Sequence, residues 1–223
     1  MIRRKHGAAT ANPSEKAKAP KVRSGPDGVR NRYAADGVDG YYAAEGGIYT
    51  NPHEGGLAEL LVGAVGRWPA DFAAPAGTPD GTTRRAALDL CCGSGEASAA
   101  LVAAGVEAAS VDACDPYTGE AYRKRHGRDA FPWSFADLAG GSLEGRQWGC
   151  VVVSFALHLC APHYLALVCQ ELARHAGALY VLTPHKRPHI DESTGWRLDT
   201  EIRSDAWRVR LRRYVSALAD AGG

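Results

Sequence analysis

Leu88-Asp89-Leu90-Cys91-Cys92-Gly93-Ser94-Gly95 is the stretch on which the fold turns. Ala86 to Cys92 is an apolar run of strand length, and Glu96 to Ala104 is an Ala-rich helical stretch stopped by Gly105. A strand that passes through Gly-x-Gly into a helix lets a ligand approach bare backbone, and it aims the helix N-terminal amides at an acceptor group. Alone, the pattern describes a structural turn equally well. Asp89 sharpens it, because it stands inside the strand four residues before Gly93. A carboxylate there gives nothing to a dinucleotide phosphate and much to a cationic ligand. The dinucleotide fingerprint G-x-G-x-x-G/A also fails at its last position, Ser98. Asp115 closes the next apolar run, about twenty residues beyond the bend, where an acid can accept hydrogen bonds from both hydroxyls of a ribose.

Outward from the bend the pattern is regular. Leu57 to Trp68 has helical apolar spacing, and a linker rich in Pro, Gly and Thr runs from Pro69 to Thr83. Ala108–Cys114 reads as a second strand, Tyr117 to His126 as a polar helix, and Trp133–Phe135 as a short third strand before Asp137. Cys150 to Phe155 is continuously apolar, as expected of a strand covered on both faces. Pro162 to His175 has helical periodicity, and Ala178–Thr183 is another buried strand. Strands and helices that alternate at this pace imply βαβ units around a parallel sheet. Trp196–Ile202 and Trp207–Val215 have only a short polar connection between them, which predicts an antiparallel hairpin.

The chain has 223 residues with 26 Lys/Arg against 25 Asp/Glu, a formal charge of +1 that hides an asymmetry. Residues 1–24 hold seven Lys/Arg against Glu15 alone, which leaves nineteen basic and twenty-four acidic residues, −5, for the rest. The sequence divides into a basic tail at 1–28 read as disordered, an extension at 29–56 and a folded domain at 57–223. The tail reads first as a solvated tether, with an RNA-touching arm and an organellar import signal as alternatives. No apolar run is long enough for a membrane span or a secretory signal, and six cysteines without a C-x-x-C pair fit reduced thiols. These features favour an intracellular protein, cytoplasmic rather than organellar.

Leu88 to Gly95 resembles motif I of the class I S-adenosylmethionine-dependent methyltransferases, close to the L-D-L-C-C-G-T-G form of quinone-pathway enzymes. Cys91 stands where the usual pattern has its first Gly. The resemblance runs over roughly residues 57–215. It implies an α/β, three-layer Rossmann-like fold whose mostly parallel seven-stranded sheet ends in an antiparallel hairpin. It also implies S-adenosyl-L-methionine as cofactor. Asp89, Cys91, Gly93, Gly95, Asp115, Asp137 and Phe155 match cofactor-binding positions. Asp115 corresponds to the ribose acid, Phe135-Ala136-Asp137 to the adenine-contacting segment, and Val151 to His158 to the motif facing the transferred methyl.

The acceptor side is less marked. His158 follows the expected fourth strand and His185 the fifth, so both are candidate catalytic bases at the carboxyl ends of the strands, where ligand crevices open. A satisfied structural histidine is the plainer reading of each. Tyr33, Tyr41, Tyr42, Tyr49 and His53 crowd the extension, which makes Tyr42, Tyr49 and His53 candidate acceptor contacts on a lid, with simple packing as the alternative. Arg208, Arg210 and Arg212 alternate along one expected strand as a salt-bridged face or an anion site. Ligand-spaced Cys160 and His163, or His185 and His189, lack a completing set for a metal. The acidic body favours a small-molecule acceptor, while RNA or protein acceptors, a non-catalytic partner subunit and an NAD-dependent oxidoreductase remain alternatives.

Overall fold

The computed structural model describes residues 51–77 and 81–218. The basic tail, Tyr33, Tyr41, Tyr42 and Tyr49 lie outside the described residues. Helix α1 (Glu54–Arg67) precedes strand β1 (Thr83–Leu90), helix α2 (Glu96–Ala103), strand β2 (Val111–Cys114) and helix α3 (Gly119–His126). Helix α4 (Phe135–Ala139), strand β3 (Arg146–Ser154), helix α5 (Pro162–His175) and strand β4 (Ala176–Thr183) follow. The described chain closes with β5 (Trp196–Ser204) and β6 (Val209–Ser216).

The described residues form one six-stranded sheet in the order β2-β1-β3-β4-β6-β5. β2, β1, β3 and β4 are parallel neighbours, whereas β6 is antiparallel to both β4 and β5. The expected hairpin is therefore present, but the expected seventh strand is not found among these residues. Trp133–Phe135 does not form it: Phe131 makes a single bridge to Cys114, and Ser134 then starts a helix. The reason is local. Ser134 Oγ accepts from the Asp137 amide and the Asp137 carboxylate accepts from the Ser134 amide, a reciprocal cap that turns the chain out of the sheet.

The apolar run in β3 is explained by the layers above and below it. Val151 and Val153 pack with Val168, Cys169 and Leu172 of α5 on one face. Cys150 and Val152 pack with α1 and α2 residues such as Leu57, Leu61 and Leu101 on the other. With both faces covered, no polar alternation is needed along the strand. α1 and α2 thus lie on one side of the sheet and α4 and α5 on the other, which leaves the carboxyl ends of β1, β2 and β3 open at one edge of the layers. All six cysteines are free thiols.

Candidate active site

β1 ends in two left-handed backbone positions, Cys91 (φ 55°) and Gly93 (φ 59°), and Gly95 (φ 87°) then caps α2. A Cβ on Gly95 would lie 2.2 Å from His126 Nε2, so only glycine fits between the bend and α3. The Gly95 carbonyl lies 3.0 Å from that nitrogen, and the His126 ring stacks on Tyr122. Burial lowers the His126 pKa, against the opposing pull of the hydrogen bond in which Nε2–H donates to the Gly95 carbonyl.

Asp115 follows β2 and faces the bend. Its Oδ2 accepts from the Gly93 amide at 3.3 Å, and its Oδ1 accepts from the amides of Tyr117 and Thr118 at 2.9 and 3.0 Å. The long bond to Oδ2 leaves that oxygen with accepting capacity toward a ligand. Asp89 lies deeper and is fully buried. Its Oδ2 accepts from the amide and hydroxyl of Ser98 at 2.9 and 2.7 Å, whereas Oδ1 has no partner among the described residues. Desolvation pushes its carboxyl up to about 7, against the opposing pull of the Ser98 hydrogen bonds.

These elements surround a cavity of about 410 Å³. Its lining includes Cys91, Gly93 and Asp115, the aromatic side chains of Trp133 and Phe135, and Phe155. Phe155 follows β3 with φ 57°, so two of the three non-glycine residues with positive φ among the described residues line this one cavity. Such strain is kept where the surrounding structure demands it, commonly at functional sites. Trp133 stacks on Phe131 at 4.2 Å between ring centroids, and Arg146 lies over both rings.

The other sequence candidates fall in different places. Asp89, Gly95 and Asp137 do not line the cavity. Asp137 is exposed in the cap of α4, and its hydrogen bonds to Ser134 hold its pKa low, while its neighbours Phe135 and Ala136 reach the cavity. His53 stacks on Phe155 at 5.0 Å, and burial lowers its pKa. The segment around it is tied to the bend, because the Asn51 amide and the Ser94 hydroxyl both donate to Glu96 Oε1 at 2.7 Å. His158 and His185 face each other with ring centroids 5.2 Å apart, in a second cavity rather than the first. Arg210 and Arg212 pair with Glu201, the salt-bridged arrangement, while Arg208 lies in the turn before β6. Among the described residues no three His, Cys, Asp or Glu side chains converge on a metal position.

Sequence reasoning misses Trp133, Tyr117 and Tyr164 as site residues; they line the cavity together with Ser154 of the expected Val151–His158 segment. The density of rings in Phe131-Pro132-Trp133-Ser134-Phe135 is the available signal for the first. Tyr117 follows β2 and Tyr164 lies in α5, so the two come to the cavity only through the fold.

No family model matches the chain. An uncharacterized protein of Schizosaccharomyces pombe is 31% identical over 222 residues, with 84% of each chain covered. Among solved structures, magnesium protoporphyrin IX methyltransferase from Synechocystis with bound S-adenosylmethionine superposes with a TM-score of 0.50 and 19% identity, over 85% of this chain and 95% of that one. An O-methyltransferase family protein from Burkholderia thailandensis gives 0.52 and 18%, over 84% of this chain and 62% of that one. The fold is that of the class I S-adenosylmethionine-dependent methyltransferases.

Proposed function

The chain belongs to the family of that Schizosaccharomyces pombe protein, and from its class I fold we propose that it is an S-adenosylmethionine-dependent methyltransferase with a small-molecule acceptor. The observation that carries this reading is the cavity of about 410 Å³ with bare backbone at Gly93, a carboxylate at Asp115 and rings at Trp133 and Phe135. A volume in this range suits a small ligand. The lining fits an adenosyl group: Asp115 would accept from sugar hydroxyls, and Trp133 and Phe135 would pack against the base.

When bound, S-adenosylmethionine supplies a methyl already activated on sulfur, so transfer depends on proximity and alignment more than on acid–base chemistry. Cys91 and Phe155, held at positive φ after β1 and β3, line the cavity and would shield the bound group from water. His53 stacks on Phe155 and braces that lining, and burial lowers its pKa. His158 and His185 bind the acceptor from the neighbouring cavity.

Transfer of a labelled methyl group from S-adenosylmethionine to fractions of a cell extract tests the proposal. Label in the small-molecule fraction supports it; label confined to RNA or protein moves the acceptor class. Binding of S-adenosylhomocysteine without transfer to any fraction favours a non-catalytic partner subunit. His158→Ala and His185→Ala are expected to spare cofactor affinity and lower turnover.

A further inference from the structure

A second cavity, of about 810 Å³, opens between the segment after β3 and the loop after β4. The two cavities share a wall. Ala156, Leu159 and Ala161 line the first, and Leu157, Cys160 and Pro162 line the second. Five of the ten residues around the second are His158, His185, Lys186, Arg187 and His189, and none is a carboxylate. Asp191 Oδ2 lies 3.1 Å from His189 Nε2. Lys186 and Arg187 are exposed.

The loop that carries these cations is held from behind. Arg212 is buried, donates to the carbonyls of Lys186 and His185 at 3.1 and 3.5 Å, and is neutralised by Glu201 at 2.7 Å. The His185 amide donates to Thr183 Oγ1. The remaining lining is apolar, with Leu157, Leu165 and Pro188 among it. Cations on an anchored loop beside an apolar lining match a small molecule that has a hydrophobic body and an acidic head.

We propose that this second cavity binds an acidic small molecule, through a carboxylate or phosphate held by Lys186, Arg187 and the facing histidines. Its role as the acceptor's site rests on the methyltransferase reading; its preference for anions does not. A concave site of this size, on a body with net negative charge, favours a compact acid over an extended polyanion.

The test follows the ring resonances of His158 and His185 by NMR in the full chain at fixed ionic strength, with benzoate, phenyl phosphate and neutral benzamide as probes. Saturable shifts with at least one of the two acids, benzamide at least tenfold weaker, and at least tenfold loss in the Lys186→Gln/Arg187→Gln double variant are expected. Equal binding of benzamide, or wild-type affinity in the double variant, overturns the proposal. A short single-stranded RNA that displaces the acids at lower concentration overturns the small-molecule assignment. S-adenosylhomocysteine is titrated into the same samples. Acid binding without nucleoside binding sinks the methyltransferase reading alone, and the reverse sinks the anion site alone.

Discussion

Asp115 joins the two halves of the proposed cofactor site, because one carboxylate oxygen meets the Gly93 amide and the other the start of α3 through Tyr117 and Thr118. Asp115→Ala is expected to weaken S-adenosylhomocysteine binding ten- to a hundredfold, about 1.5–3 kcal/mol, by calorimetry on a folded variant. Asp89 acts differently. Its carboxyl is raised to about 7 in the fold, whereas in the unfolded chain it ionises near 3.8. Between those values the folded state holds a proton that the unfolded state has released, so this group's contribution to stability falls as pH rises through the window and is constant above it. Urea unfolding from pH 5 to 7.5 should show wild type losing stability relative to Asp89→Asn as pH rises; a constant difference contradicts the assignment. Expected to touch the cofactor, Asp89 does not line the cavity; only the place of Asp115 is legible from its spacing to the bend. The burial of Asp89 behind Ser98 is not, since it depends on the helix that returns over the strand.

At the scale of elements, the bend between β1 and α2 is the tightest junction in the site. Gly95→Ala places a Cβ at a positive φ and against His126 and Tyr122, and should cost about 1–3 kcal/mol in chemical unfolding. If the contact dominates, His126→Ala in the same chain recovers part of the loss; no loss at all contradicts this geometry. Most elements are readable because their apolar period is strong, as in β3 and α5, where burial on both faces or on one stripe leaves a direct trace. Trp133–Phe135 reads as a strand from its residues alone because aromatic side chains favour strands. The Ser134–Asp137 cap decides the local structure instead, and the ring of Trp133 becomes a cavity wall. The pairing of His158 with His185 leaves no trace in sequence, since it arises only when two loops after neighbouring parallel strands meet.

For the molecule as a whole, the layered sheet brings bare backbone, an acid and aromatic walls to one edge, and sets a basic cavity across a shared wall from them. No helix among the described residues is long and apolar enough to cross a membrane. A ligand that binds only the folded state must also raise its stability, by an amount set by its concentration relative to its dissociation constant. The most direct measurement is therefore a calorimetric titration of the full chain with S-adenosylhomocysteine, beside Asp115→Ala. Saturable binding of one nucleoside per chain, much weakened in the variant, is the predicted result. Absence of heat up to millimolar ligand, or undiminished affinity without the Asp115 carboxylate, would contradict the assignment of this cavity to the cofactor.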